Sequence, residues 1–136
     1  MDIIFPIRFD MLALFSIFFL LFILQEQYAD ALECLMVLDN RSDKPIRLVR
    51  AVLPPGGHWT EYPDNVIFPQ ARGFASYKGC SYEAVPCWID YTMDDDEGTL
   101  LTVAFSYAPK FSCKPAQKFS KCEAVNPWTY HFILSN

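Results

Sequence analysis

Residues 88–107 read WIDYTMDDDEGTLLTVAFSY, and this stretch decides the fold. In its first part Ile89, Tyr91 and Met93 fall on one face and Asp90 and Thr92 on the other. In its last part Leu101, Val103, Phe105 and Tyr107 alternate with Thr102, Ala104 and Ser106. A period of two marks a strand with one face against a core and the other in water. Between the runs lies Asp94-Asp95-Asp96-Glu97-Gly98. Four adjacent carboxylates repel one another unless hydrated, and Gly98 supplies the positive φ that a hairpin turn wants. A calcium loop fits less well, because its ligands alternate with other residues and a second acidic cluster to complete the shell is missing from the sequence. The stretch is therefore a solvated hairpin.

The same pattern extends outward. Trp128, Tyr130, Phe132 and Leu134 alternate with Thr129, His131 and Ile133, while Leu35 to Asp39 and Pro45 to Leu53 are short apolar strands. Proline recurs from Pro45 to Pro127 at intervals that leave no room for a long helix. Short strands joined by Pro- and Gly-rich connections predict an all-β fold, a small antiparallel β-sandwich with disulfides.

The first thirty-one residues have a different character. Met11 to Leu24 is apolar except for Ser16, and Ala29-Asp30-Ala31 follows a short polar stretch. The run is shorter than the roughly 20 residues needed to span a bilayer. It predicts a secretory signal peptide over 1–31, removed after Ala31, and a single domain over 32–136. The alternative is an uncleaved membrane anchor from Ile3 to Leu24, against which Arg8 and Asp10 count. Only Arg8 among eleven basic residues, and Asp2, Asp10, Glu26 and Asp30 among sixteen acidic ones, precede residue 32. The domain keeps ten against twelve, a net charge of −2. Nucleic-acid-binding domains usually carry a basic surface, so nucleic acid is not an expected partner.

Cys34, Cys80, Cys87, Cys113 and Cys122 all lie in the exported part, where disulfides are the default. Five thiols allow two bridges and leave one over. Cys80–Cys87 and Cys113–Cys122 are near enough in sequence for local staples; alternatively Cys34 ties the start of the domain to a distant strand. The odd thiol is either buried or pairs with another chain, and burial is the simpler reading. Zinc-type spacing is absent, so neither a metal nor a cofactor is expected. Asn40-Arg41-Ser42 is a sequon, placed at a turn that would expose Asn40 as a glycosylation candidate.

His58 and His131 are the two imidazoles available for acid–base work. His131 falls opposite the aromatic stripe of its strand, as a surface residue would, and His58 sits in a Pro-Pro-Gly-Gly-His-Trp loop. Known nucleophile or phosphate-binding motifs do not accompany them, so no catalytic residue is assigned and no enzyme is expected. The connection from Pro54 to Arg72 holds Trp59, Tyr62 and Phe68, with Tyr77 and Tyr82 beyond. Rings on loops suit binding to lipid headgroups, sugars or protein surfaces, and the competing reading is that Trp59 plugs the core. Lys110, Lys114, Lys118 and Lys121 recur around Phe111 and Phe119; Pro115 interrupts any helix, and a solvated loop closed by Cys113 and Cys122 is the simpler account than a lipid-facing stripe.

Asn40-Arg41-Ser42-Asp43-Lys44-Pro45-Ile46, Gly57-His58-Trp59, Val66-Ile67-Phe68-Pro69-Gln70 ahead of a new strand, and Trp88-Ile89-Asp90-Tyr91 together resemble the aegerolysin-like and actinoporin-like secreted β-sandwich proteins. The resemblance spans about Leu35 to Tyr107; Ala108 to Cys122, with its lysines and cysteines, departs from it. The resemblance implies a small acidic protein that recognises membrane lipid, some members forming pores with a partner protein. The expected function is a secreted, non-catalytic binding protein that meets a membrane lipid or cell-surface ligand through Trp59, Tyr62 and Tyr82, with Lys114 and Lys118 as auxiliary contacts. The alternative is a secreted effector or modulator of a protein partner.

Overall fold

Strand β1 (Glu33–Asn40) buries Cys34, Met36 and Leu38 on one face, the pattern that alternation imposes on a strand lying over a core. The computed structural model describes residues 16–17, 32–81 and 85–136. The segment read as a signal peptide, apart from Ser16 and Ile17, and Tyr82 lie outside the described residues. The chain divides into two units, Met1–Ala31 and Leu32–Asn136. Ten strands are described, all in the second unit. Among the described residues no helix is long and apolar enough to cross a membrane.

After β1 come β2 (Ile46–Val52), β3 (His58–Glu61), β4 (Val66–Ile67), β5 (Arg72–Lys78), β6 (Cys87–Met93), β7 (Leu100–Ser106), β8 (Lys110–Lys114), a 3₁₀ turn (Ala116–Lys118), β9 (Phe119–Asn126) and β10 (Thr129–Leu134). They form two five-stranded sheets, β3-β5-β1-β10-β9 (sheet A) and β4-β2-β6-β7-β8 (sheet B). The fold is an all-β sandwich with two disulfides. Its pairs are antiparallel except one: β1 and β10 run parallel, Val37 opposite His131 and Asp39 opposite Ile133.

The alternation read from residues 88–107 is observed. Ile89, Tyr91, Met93, Leu101, Val103 and Phe105 are buried, and Tyr130, Phe132 and Leu134 meet them from sheet A. The acidic segment is the β6–β7 turn: Met93 N–H donates to the Thr99 carbonyl at 2.8 Å and Gly98 has φ +60°. Asp95 accepts the backbone N–H of Thr99 at 3.0 Å and its hydroxyl at 2.7 Å. The Thr99 hydroxyl bond, then the backbone bonds, hold the Asp95 carboxyl below its usual range.

Two segments expected as loops carry strands. The connection from Pro54 to Arg72 contains β3, in sheet A, and β4, in sheet B, so the chain crosses between the sheets at that edge. The lysine-rich segment is β8, the 3₁₀ turn and the start of β9, and it crosses back at the opposite edge. Prolines punctuate both segments without excluding two- to five-residue strands at sheet edges. At the first crossing a β-carbon on Gly73 would lie 2.2 Å from Ile67 Cδ1, so glycine lets β4 press onto β5.

Candidate functional site

Trp59 lies opposite Tyr77 on the β3–β5 ladder, and the two rings meet edge to face at 5.9 Å. Tyr62 meets Trp59 edge to face at 5.7 Å and is 56% exposed. Behind them the contacts continue from Tyr77 to Phe105 at 5.5 Å, to Tyr130 at 5.7 Å and to Phe111 at 5.6 Å. Trp59 is thus partly a core plug, as its competing reading held, and it seats the accessible Tyr62 ring on a rigid base. The loop after Tyr62 is clipped to both sheets: Asp64 Oδ2 accepts the Phe74 N–H at 3.2 Å, and its carbonyl accepts the Tyr91 hydroxyl at 3.3 Å. Pro63 is buried, whereas Glu61 and Asp64 are exposed beside Tyr62.

The two candidate lysines are elsewhere. Lys114 ends β8, at the far edge of sheet B, and Lys118 lies in the 3₁₀ turn leading to β9, at the far edge of sheet A. The Cys113–Cys122 bridge joins β8 to β9, whereas β3 and β4 form the other pair of edges. Trp59 and Tyr62 therefore occupy one side of the sandwich and Lys114 and Lys118 the other, and a single contact surface does not include both.

The thiols resolve the open alternatives. Cys34 bridges Cys80 across 46 residues, so the start of the domain is tied to the end of β5. Cys113–Cys122 is the local staple, and a Cys80–Cys87 staple is ruled out by the first bridge. Cys87 is the odd thiol and is buried. Burial pushes its pKa up to about 12, so it stays protonated and weakly nucleophilic.

Asn40 is not exposed as the turn had suggested. It is fully buried; its Nδ2 donates to the carbonyls of Lys44 at 2.8 Å and Ile67 at 3.0 Å, and its Oδ1 accepts the Ser42 N–H at 3.1 Å and hydroxyl at 2.6 Å. The sequon residues form a polar staple that ties β1 to the β2 and β4 edge. In the folded chain its amide has no room for a glycan.

His131 lies on the outer face of sheet A, opposite the buried Tyr130 and Phe132 as the alternation implies, and its Nε2 is 2.6 Å from Asp39 Oδ2. Arg72 Nε donates to the other Asp39 oxygen at 2.7 Å. Burial alone would raise the Asp39 carboxyl; the His131 and Arg72 bonds outweigh it and hold it below the usual carboxylate range. Arg72 and His131, with Val37, Val125 and Thr129, line a shallow groove of about 220 Å³. This group leaves no signature in the sequence, because its members come from β1, β5 and β10, with Arg72 and His131 lying 33 and 92 residues from Asp39.

Sheet B carries a matching arrangement on its own outer face. Asp90 accepts Arg50 Nε at 3.2 Å and an Arg50 Nη at 3.0 Å through one oxygen, and the Thr102 hydroxyl at 2.6 Å through the other. The guanidinium of Arg50 also lies over the Trp88 ring, 5.9 Å from its centre. His58 is exposed at the start of β3. No set of three His, Cys, Asp or Glu side chains among the described residues is placed to hold a metal ion.

Neither a scan against protein-family models nor a search of curated proteins returned a match to this chain.

Proposed function

We propose that the protein is a secreted, non-catalytic binding protein of aegerolysin-like type, which recognises a membrane lipid or cell-surface ligand through the edge formed by Trp59 and Tyr62. The observation that carries this reading is the Tyr62 ring, more than half exposed and seated edge-on against an anchored Trp59. A ring held this way gives up little side-chain entropy on binding, and its hydroxyl is left to meet a polar headgroup. The apolar Met11–Leu24 segment supports export, and two disulfides are consistent with an extracellular location. Co-sedimentation with vesicles of zwitterionic, anionic and sphingolipid composition tests the reading. At least one composition should retain the protein, and Tyr62→Ala should weaken that retention about tenfold. Absence of binding to every vesicle at physiological salt overturns it.

A second reading, a secreted effector or modulator that binds a protein partner, is favoured by one observation. Glu61 and Asp64 are exposed on either side of Tyr62 and oppose an anionic headgroup. Cell binding that persists after phospholipase treatment but is lost after surface proteolysis would select this reading over the first.

A further inference from the structure

The groove on the outer face of sheet A runs across strands rather than along one. Arg72 on β5, Val37 on β1, Thr129 and His131 on β10, and Val125 on β9 line it in strand order. Strands β5 and β9 are three spacings apart, about 14 Å. Val37 is half-buried and Val125 is 63% exposed, so the middle and the far end of the groove are apolar. Its volume of about 220 Å³ lies below the roughly 300–1,000 Å³ of a site for a drug-sized ligand, so an occupant has to be small.

The near end carries donors that the fold does not use. Asp39 accepts only Arg72 Nε, and both Nη groups of Arg72 lack a partner among the described residues. The Thr129 hydroxyl is unpartnered as well, although Thr129 is only partly exposed. A guanidinium anchored at Nε presents its two Nη groups as a fork, which a carboxylate meets with two parallel hydrogen bonds. Asp39 already offsets the charge of Arg72, and Glu123, opposite His131, is paired with Lys121 at 3.1 Å. Arg72 therefore acts as an oriented donor pair and not as an excess of positive charge. A phosphate dianion would meet Asp39 with its second charge uncompensated. A carboxylate brings one charge and two coplanar acceptors.

We propose that this groove binds a small monocarboxylate with an apolar body, of the medium-chain fatty acid type. The carboxylate sits on the Arg72 fork, beside the Thr129 hydroxyl, and the chain crosses Val37 toward Val125. Burying the two valines against an apolar chain adds a gain that an inorganic anion cannot supply. An anionic bilayer is a poorer occupant. On this face Glu33, Asp39 and Glu123 match Arg72, Lys78 and Lys121 in number, so it offers a charged surface no net attraction.

The groove is separate from the Tyr62 edge, and neither binding reading depends on the other. NMR titration of the full-length protein with octanoate, octanol and octyl phosphate, each kept below its micelle concentration, reads both affinity and place. The expected result is saturable octanoate binding, with amide shifts confined to the groove around Val37, Arg72, Val125, Thr129 and His131. Octanol and octyl phosphate should bind at least about tenfold more weakly. Val125→Glu places a like charge at an exposed position of the apolar end and should weaken octanoate binding about tenfold, with thermal unfolding unaltered. Arg72→Lys keeps a cation beside Asp39 but removes the fork, and should weaken it to a similar extent. Lys78→Gln, on the same sheet face but opposite Glu33, should leave binding unchanged, as should Tyr62→Ala. Equal binding of octanol, tighter binding of octyl phosphate or of anionic vesicles, shifts that fall outside the groove, or unchanged affinity in both Val125→Glu and Arg72→Lys would overturn the proposal.

Discussion

Asp39 and His131 meet at 2.6 Å across the parallel β1–β10 pair, with Arg72 on the other carboxylate oxygen at 2.7 Å. Asp39 is 5% exposed, so its charge depends on these two partners. Replacing it with Asn should lower the unfolding free energy by about 1–3 kcal/mol, the range for a charged hydrogen bond near the surface, because Arg72 is largely solvated. Urea unfolding at neutral pH measures this.

The same pair sets an acid limit. The folded Asp39 carboxyl sits below its unfolded value of about 3.9. A depressed carboxyl stabilises the fold above its unfolded pKa and loses that contribution as pH falls through the folded one. Stability should therefore drop as pH falls below about 4, and less steeply in Asp39→Asn. A wild-type profile as shallow as that of the variant would contradict this.

Peptide mapping without reduction should recover Cys34–Cys80 and Cys113–Cys122, with Cys87 alkylated only after unfolding. In the chain-entropy account, removing the first bridge costs about 4 kcal/mol and the second about 3 kcal/mol, since the first closes the longer loop. Thermal denaturation of the paired Cys→Ala variants should rank them in that order.

Asn40→Ala removes a buried donor–acceptor group that serves four bonds, and about 2–3 kcal/mol of stability should go with it. The intact mass of the folded protein, secreted from glycosylation-competent cells, should show no glycan at this position.

Gly73→Ala places a methyl group against Ile67 and should destabilise by about 1–3 kcal/mol. Shortening the neighbour relieves the clash, so the double change Gly73→Ala with Ile67→Ala should cost less than the sum of the two singles. Additive losses would argue against direct contact.

Much of the core was legible because strand alternation is local. Ile89, Tyr91, Leu101, Val103 and Phe105 could be assigned to the inside from their own neighbours. Strands β3, β4, β8 and β9 were hidden for the opposite reason. They are short or edge strands: β4 is only Val66-Ile67, and β3, β8 and β9 mix Lys, Ser, Thr and Glu with their apolar residues, so long-range pairing supplies the order that their composition does not. The candidate site divided the same way: exposure of Tyr62 follows the loop reading, but separation of Tyr62 from Lys114 depends on which edges the two crossings occupy.

By itself the sequence determined the all-β class, the acidic β6–β7 turn with Gly98, the inward faces of the central strands and a surplus cysteine, since each follows from residue type and spacing within a few positions. The tertiary structure decided what depends on distant partners. It joined Cys34 to Cys80, set β10 parallel beside β1, and so brought His131 and Arg72 onto Asp39. It buried Asn40 as a staple, and it set Val37, Arg72 and Val125 around one groove. A period of two specifies which way a side chain points; only strand order and register specify what it meets there.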